Sequence, residues 1–328
     1  MPNLKRMVQR KRVATLAAPP NPLSLADLAI PLEYTHYEKH PGVFEDFLLF
    51  DSGAAAGDER MLIFSTERNL RVLRQCRQWQ MDGTFDITPL FFSQLYSIHG
   101  SYLGRTHPLV YALLPNKRQG TYETLFRELN HLTNGEAAPQ SIITDFEMAA
   151  IRASNVVFPH AENRGCFFHL AQSVHRRIQR EGFKQRYEND ADFALQCRTI
   201  PALAFVPSDD VSDVFEELSQ HLPDVFQPVL DYFEDTYIGR PNRRGLRRAP
   251  TFPIELWNVH DRVINGEDRT NNVVEAWHRS VQVTLGEIRP SIWKFIKGLT
   301  RSQKLRDTEI EGLLAGNPPP DVAPDMNF

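Results

Sequence analysis

The sequence contains few cysteines, no long apolar run and little net charge. Its 3 cysteines in 328 residues are widely spaced and offer no disulfide framework, which indicates a reducing compartment. No stretch reaches the roughly 18 consecutive apolar residues of a membrane-spanning helix. Basic residues occupy the place where a signal peptide has its apolar centre. We therefore expect a cytosolic or nuclear protein that does not enter a membrane.

Positive charge is concentrated in three short regions, although the net charge is only -4. These regions are residues 5–12, 176–186 and 240–248. Each could line a phosphate backbone or form an ordinary solvated surface. The charge of the whole chain therefore does not indicate a nucleic-acid-binding protein, but the local distribution allows one.

Composition and apolar periodicity divide the chain into six segments. From residue 78, apolar residues alternate with polar ones in strand-like stretches, and helical spacing appears between these stretches. Two short strands, at residues 47–50 and 61–64, are predicted ahead of this regular part. The six predicted segments are a basic flexible N-terminal arm (1–33), a lead-in segment (34–77), the first part of a core (78–187), a mostly helical insertion (188–265), helices that complete the core (266–314) and a disordered tail (315–328).

The core segment has the pattern of strands and helices in the order β-β-β-α-β-α-β. The first predicted strand carries Asp82, and the fourth, at residues 141–145, ends on Asp145. The fifth is predicted at residues 165–168, with a helix from about residue 170. We therefore expect an α/β protein in which helices flank a mixed sheet of five strands.

Three acidic residues are candidate site residues because of their positions in this order of strands and helices. Asp82 lies on the first strand, Asp145 at the end of the fourth, and Glu275 early in a helix after the insertion. Each alone also has a structural explanation. An Asp-Gly pair favours a hairpin turn, an aspartate after a strand is a common helix N-cap, and Asn272-x-x-Glu275 fits the start of a helix. Only their combined arrangement favours a shared site.

The ordered motifs around these acids resemble the Mutator-like element (MULE) transposase family over about residues 45–300. The similar motifs are residues 81–85, 108–114, 143–147, 165–169 and 271–278. The resemblance implies an RNase H-like fold, interrupted by a mostly helical insertion before the last acid. It also implies a DDE transposase, which cuts and rejoins DNA in cut-and-paste transposition, with Asp82, Asp145 and Glu275 at the catalytic positions.

The chemistry of such an enzyme explains why it uses carboxylates. Hard divalent cations prefer oxygen ligands, and two Mg²⁺ ions can stabilise both the attacking and the leaving oxygen of a phosphodiester. We expect Asp82 to contact both ions, Asp145 one and Glu275 the other, and Mn²⁺ can replace Mg²⁺. Asp86 and Glu147 are alternative ligands because they lie close to the two aspartates in the sequence.

Four further residues are predicted to assist this site. Cys166 and His169 match the Cys-x-x-His signature of the family. His278 and Arg279 lie one turn after Glu275, where they could meet the scissile phosphate, orient the glutamate or be an exposed helix face. We do not expect Zn²⁺, because a structural zinc site needs four ligands and no second pair stands at a suitable spacing. A buried cysteine, with the histidine at the rim of the site, is the favoured interpretation.

The resemblance also implies partners and a location. We expect the protein to bind transposon ends and target DNA, to form a homo-oligomer and to act in the nucleus. Relatives often carry a FLYWCH-type zinc finger before the core, and its cysteines and histidines are not found in this sequence. Two other functions stay open: a domesticated DNA- or protein-binding regulator without transposition, and a nuclease acting on RNA, which the long insertion disfavours. The arginines predicted to grip DNA beside the cut are Arg240, Arg243, Arg244, Arg247 and Arg248.

Overall fold

The computed structural model of the chain describes residues 18–316. Residues 1–17 of the predicted arm and residues 317–328 of the predicted tail lie outside the described residues. No helix in the described part is long and apolar enough to cross a membrane.

One mixed sheet forms the centre of the described part. The strands are β1 (His36–His40), β2 (Val43–Asp46), β3 (Leu48–Asp51), β4 (Leu62–Phe64), β5 (Gln78–Thr84), β6 (Gln94–Tyr102), β7 (Arg105–Leu114), β8 (Ser141–Thr144) and β9 (Glu162–Gly165). The first two form a separate antiparallel ribbon, and the other seven form the sheet in the order β3-β4-β7-β6-β5-β8-β9. The strands β5, β6 and β7 are antiparallel neighbours, whereas β8 and β9 run parallel to β5.

The sheet has seven strands where the sequence predicted five. The two short strands of the lead-in segment extend it, because β4 pairs with the free edge of β7 and β3 pairs with β4. All three residues of β4 are buried, as expected for an internal strand covered on both faces. The five strands predicted in the core occupy the remaining, contiguous part of the sheet.

Helices cover both faces of this sheet and form a helical region at one end. The α-helices of the described residues are α1 (Glu67–Gln75), α2 (Gln119–Leu132), α3 (Met148–Val157), α4 (Phe167–Arg180), α5 (Lys184–Asn189), α6 (Ala191–Ala202), α7 (Val211–His221), α8 (Gln227–Phe233), α9 (Ile254–Trp257), α10 (His260–Ile264), α11 (Asn272–Leu285) and α12 (Ile292–Leu314). The stretch predicted as a helical insertion contains α6 to α10.

The alternation of β7 shows how the two faces are filled. Ala112 and Leu114 point into a cluster shared with α1, α2 and α3. Tyr111 and Leu113, one residue out of step, point into a second cluster shared with α11 and α12. A third apolar cluster joins α4 to the helices that follow it. The sheet thus separates α11 from α1 to α3, whereas α12 also contacts α1, where Asn69 donates to Gln303 at 2.9 Å.

The helix α11 is fixed tightly against the sheet and against α12. Trp277 stacks on Tyr111 with ring centroids 5.2 Å apart, and its indole N–H donates to Ser302 of α12 at 3.2 Å. A Cβ atom on Gly298 would come within 2.4 Å of the Leu285 side chain, so the two helices approach closely at this glycine. This packing fixes the orientation of α11 and of the acid in its first turn.

The boundary between β9 and α4 differs from the sequence prediction. The strand was predicted at residues 165–168 and the helix from about residue 170, but β9 ends at Gly165 and α4 begins at Phe167. The ring of Phe167 packs 4.8 Å from that of Phe205 in the helical region, so its apolar character reflects burial beside that region and not strand structure. Cys166 consequently lies at the junction, and His169 lies in the first turn of α4.

Candidate active site

Two of the acids come from neighbouring parallel strands. Gln80 of β5 pairs with Ile143 of β8. Asp82 and Asp145 each lie two residues further along, so they reach the same level at the same edge of the sheet. This proximity follows directly from the parallel pairing of the two strands.

Glu275 approaches these aspartates from α11, which packs against β5. The cleft between the strand ends, α4 and α11 has a volume of about 600 Å³. The structure therefore brings together residues from four distant parts of the chain. The site residues predicted from the sequence that line the cleft are Asp82, Asp86, Asp145, His169, Glu275, His278 and Arg279.

The tightest group in the cleft contains a histidine. One side-chain ligand atom from each of Asp82, His169 and Glu275 lies within 4.8 Å of the other two. Within this group, His169 Nε2 lies 3.3 Å from Glu275 Oε1. Asp145 lines the same cleft but is not part of this close group. Two carboxylates and an imidazole at these separations are a donor set that can hold a divalent cation.

The acids of the cleft hold protons more strongly than ordinary carboxyl groups. Burial and then the nearby charge of Asp145 raise the pKa of Asp82 well above its usual value. Burial and the charge of Glu147 raise the pKa of Asp145 to about 6, and burial also raises the pKa of Glu275. Lys117 opposes the shift at both aspartates. The cleft therefore favours either protons or a cation among its carboxylates.

The two histidines of the cleft are neutral at physiological pH. Burial, with the charge of Arg176 as a second cause, lowers the pKa of His169 to about 4, and burial lowers the pKa of His278 to about 4. The contact between His169 and Glu275 is accordingly a hydrogen bond and not an ion pair. A neutral imidazole also keeps a lone pair available for a metal or a donor.

A buried chain of hydrogen bonds extends from His278 into the core. His278 Nε2 lies 3.0 Å from Ser97 Oγ, which lies 3.0 Å from His99 Nε2. The other ring nitrogen of His99 is buried and has no partner among the residues that the structure describes. On the opposite side of its ring, His278 Nδ1 lies 3.7 Å from Asp82 Oδ2. Ser97 stands directly opposite Asp82 in the pairing of β5 with β6.

The unpaired nitrogen of His99 determines which atom donates in each of these hydrogen bonds. A buried N–H without a partner is rarer than an unpaired acceptor, so the proton of neutral His99 is assigned to Nε2, which donates to Ser97. The Ser97 hydroxyl then donates to Nε2 of His278. This leaves the N–H of His278 on Nδ1, facing the Asp82 carboxylate.

Cys166 belongs to the framework of the site. Its thiol donates to the side-chain oxygen of Asn271 at 2.9 Å, and the backbone N–H of Asn271 donates to the sulfur at 3.4 Å. Burial raises the pKa of this thiol to about 11, so it stays protonated. The pair joins the end of β9 to the residue before α11, the helix that carries Glu275.

Glu147 and Asp86, the alternative metal ligands predicted from the sequence, lie in environments that differ from those of the three acids. Glu147 accepts hydrogen bonds from the Tyr122 hydroxyl at 2.7 Å and from Lys117 Nζ at 2.8 Å, which hold its carboxylate. Asp86 is exposed at the rim of the cleft. The structure therefore gives Glu147 a role in fixing Lys117 near the two aspartates.

The arginine-rich segment lies apart from the cleft, whose lining includes none of its residues. Arg240 pairs with Asp235 at 2.5 Å, and Arg247 pairs with Glu216 at 2.7 Å and with Glu234 at 3.0 Å. Acidic neighbours thus neutralise two of its five arginines. The other three, Arg243, Arg244 and Arg248, are exposed.

Sequence reasoning missed Ser97, His99, Lys117 and Asn271. The pairing of Asp82 with Ser97 depends on the register of the hairpin between β5 and β6, which the apolar pattern alone does not set. The sequence predicted the helix start at Asn272, whereas the N-cap is Asn271, one residue before α11, and Asn271 was only the first residue of a family-like motif. Its contact with Cys166 spans 105 positions in the sequence.

The segment that carries two of the acids and the Cys-x-x-His pair matches a known family. Residues 78–173 match the MULE transposase domain. This match runs from the start of β5 into α4, so it includes Asp82, Asp145, Cys166 and His169 and ends before Glu275. The resemblance to MULE transposases predicted from the sequence is confirmed for this segment.

The chain was also compared with solved structures and with curated proteins. The chain is similar to the Drosophila P element transposase strand transfer complex, with 9% sequence identity, a TM-score of 0.38, and coverage of 74% of this chain and 81% of that one. No curated protein sequence matches this chain.

Proposed function

We propose that this chain is the RNase H-like core of a DDE transposase that cuts DNA and joins the freed ends to target DNA. The single observation that carries the proposal is the meeting of Asp82, Asp145 and Glu275 in one cleft, where burial raises the pKa of each carboxyl. The match of residues 78–173 to the MULE transposase domain supports the choice of reaction. Homo-oligomeric assembly on DNA and a nuclear location are parts of the same proposal.

The residues of the cleft fit divalent cations. Asp82 and Glu275 offer carboxylate oxygens and His169 an imidazole nitrogen within 4.8 Å of one another, and Asp145 offers a further carboxylate in the same cleft. Oxygen ligands suit Mg²⁺ and Mn²⁺, while an imidazole nitrogen is better suited to transition metals. Two bound ions would screen the charge of the phosphate and stabilise the attacking and leaving oxygens.

The side chains of the cleft have separate tasks in this proposal. Asp82 is held from two directions, because its Oδ1 accepts the backbone N–H of Gly83 at 2.8 Å and its Oδ2 faces His278. The neutral ring of His169 orients Glu275. Arg279 and Arg176 line the cleft with positive charge and can contact phosphate oxygens beside the cut.

The proposed reaction has two displacements at phosphorus. In the first, water attacks the phosphate, loses its proton and displaces the 3′ oxygen of the neighbouring nucleotide, which leaves as a 3′-hydroxyl. In the second, this 3′-hydroxyl attacks a phosphate of target DNA, and the 3′ oxygen at that point leaves. One P–O bond forms and one breaks in each step, so no oxidant or energy source is needed.

The test is a cleavage and strand-transfer assay on DNA that carries the terminal inverted repeats of the element, in Mg²⁺ or Mn²⁺. We expect Asp82→Asn, Asp145→Asn and Glu275→Gln each to lose both activities. Asp86→Asn, which changes an exposed carboxyl at the rim of the same cleft, is the matched control and should stay active. A protein that binds this DNA without cutting it would be a domesticated regulator, and full activity of Asp82→Asn would contradict the assignment.

A further inference from the structure

A positively charged surface lies on α12, outside the active cleft. Between residues 288 and 306 the sequence contains six basic residues and no acidic residue. Four of them, which we call the basic face of α12, follow one another at spacings of three, four and three residues and therefore share one side of the helix. The basic face of α12 consists of Lys294, Lys297, Arg301 and Lys304, all of which are exposed.

The opposite side of α12 explains why this face points outward. Phe295, Ile296 and Leu299 are buried in the apolar cluster against the sheet. Since the apolar side of the helix is used in the core, it is not available to enter a lipid surface, which an amphipathic membrane helix requires. The exposed charges are consequently suited to a hydrophilic polyanion.

The described residues leave most of the charge on the basic face of α12 uncompensated. The side chains of Arg301 and Lys304 have no hydrogen-bond or ion-pair partner among residues 18–316. Lys297 lies over the Tyr34 ring at 5.1 Å, and only Lys294 has an acidic partner, Glu287 at 3.0 Å. Like charges at these helical spacings repel one another and cost stability. By contrast, acidic neighbours neutralise two arginines of the 240–248 segment.

The dipole of α12 adds positive potential at the start of this face. A cavity of about 240 Å³ is lined by Lys294, Lys297, Arg301 and the helix-capping Ser291, so it lies at the positive end of that dipole.

We propose that the basic face of α12 binds the sugar-phosphate backbone of duplex DNA at a place separate from the active cleft. The choice of DNA over other polyanions rests on the proposed function. The row from Lys294 to Lys304 covers ten helical residues, about 15 Å, which is long enough to follow several phosphates. Glu275 and Thr284, which lines the α12 cavity, are nine residues apart and so lie on opposite sides of α11. Contacts of this kind give affinity and position without reading sequence.

The test is the salt dependence of DNA binding by the full chain without divalent metal, so that no cleavage occurs. Fluorescence anisotropy with a labelled duplex of arbitrary sequence measures the association constant K at several salt concentrations. We expect Arg301→Gln/Lys304→Gln to weaken binding and to reduce the slope of log K against log salt by about 2, since each neutralised phosphate contact removes about 0.9. The matched control is Arg127→Gln/Arg152→Gln, which removes the same charge from α2 and α3 on the other face of the sheet and should bind as the unaltered chain does.

Three results would overturn this proposal. They are an unchanged slope in the α12 variant, an equal loss in the control variant, and tighter α12-dependent binding to duplex RNA or to anionic vesicles than to duplex DNA. Thermal unfolding of both variants shows whether they are folded, and neither changes a side chain with a buried polar partner. The outcome is separable from that of the proposed function. If the unaltered chain does not cut DNA but the α12 variant loses DNA binding, the DNA-binding surface is supported and the transposase function is contradicted. If the unaltered chain cuts DNA but the α12 variant has an unchanged slope, the transposase function is supported and the DNA-binding surface is contradicted.

Discussion

His169 Nε2 lies 3.3 Å from Glu275 Oε1, although 106 positions separate the two residues in the sequence. Three residues before His169, Cys166 makes a second link to the same helix through the side chain of Asn271. The Cys-x-x-His pair therefore acts on α11 at two points, at the residue before its first turn and at its acidic side chain. We infer that the pair positions Glu275.

The link between Cys166 and Asn271 should stabilise the protein and support its activity. We expect Cys166→Ala to lower the free energy of unfolding by about 1–3 kcal/mol, because the Asn271 side-chain oxygen loses its partner in a buried site, and to reduce DNA cleavage at temperatures where the protein is folded. Urea unfolding and a cleavage assay measure the two effects. Cys197→Ala is the control, since Cys197 is buried in the helical region away from α11. The Cys197→Ala variant should be less stable than the unaltered chain and should keep its DNA cleavage activity. Equal activity of the two variants would contradict the positioning of Glu275.

His169 should matter for metal use more than for folding. We expect His169→Ala to lower the cleavage rate about 10- to 100-fold, as the loss of a residue that orients a metal ligand does, with a change in the ratio of Mn²⁺-supported to Mg²⁺-supported rates. His175→Ala on the same helix, where the ring contacts Tyr187 at 4.8 Å, should leave both rates unchanged. A loss of rate that is the same with both metals and is accompanied by unfolding would show that His169 is structural only.

The hydrogen-bond chain from His99 through Ser97 to His278 predicts the ring tautomers of the two histidines. At neutral pH, ¹⁵N NMR of the histidine rings should show His278 protonated on Nδ1 and His99 on Nε2, because burial lowers the pKa of both. We expect Ser97→Ala to remove the preference of each ring for one tautomer and to reduce DNA cleavage. His278→Asn keeps an N–H group near the place of Nδ1 and should retain more activity than His278→Ala. A positively charged His278 at neutral pH would contradict the assignment.

The buried carboxyl groups should make the metal-free protein less stable as the pH rises. Burial raises the pKa of Asp145 to about 6, so the folded state binds more protons than the unfolded state between about pH 4 and 6. The stability contributed by protonated Asp145 is complete below the pKa of the unfolded state, about 4, and is lost as the pH rises through the pKa of the folded state, about 6. In a chelating buffer above pH 7 we expect Asp145→Asn to be more stable than the unaltered chain by about 1–3 kcal/mol. Thermal unfolding measured from pH 4 to 8 checks this, and a less stable variant at every pH would contradict it.

The raised pKa of Asp145 should make metal affinity increase with pH, whereas it makes the stability of the metal-free protein decrease with pH. A cation must displace the protons held by the raised carboxyl groups, so its affinity should increase with pH through the pKa of Asp145. The affinity of Asp86→Asn for Mn²⁺ should follow the same pH curve as that of the unaltered chain, because Asp86 is exposed.

Much of the core could be predicted from the sequence because its signals are local. The alternation from residue 78 indicates β5, and the parallel pairing of β5 with β8 brings Asp82 and Asp145 to one edge. By contrast, β3 and β4 have only four and three residues. Strands this short carry too little pattern to show which sheet they join, and the seven-stranded sheet could not be foreseen.

Other parts of the site depend on distances that the sequence does not encode locally. The contact of Ser97 with His278 requires the hairpin register and the packing of α11 at the same time. The ion pairs of Arg240 and Arg247 depend on how the helical region folds. The basic face of α12 does not form a run in the sequence, because uncharged residues separate its cations, and only the helix brings these cations to one side.

Metal binding by the three acids tests the central claim most directly. Titration of the chain with Mn²⁺ in the presence of duplex DNA that cannot be cut gives the number of bound ions, and Asp86→Asn serves as the control. We expect two ions for the unaltered chain and the control, none for Asp82→Asn, and one each for Asp145→Asn and Glu275→Gln. Two tightly bound ions in Asp82→Asn would contradict the claim that these carboxylates share a metal site.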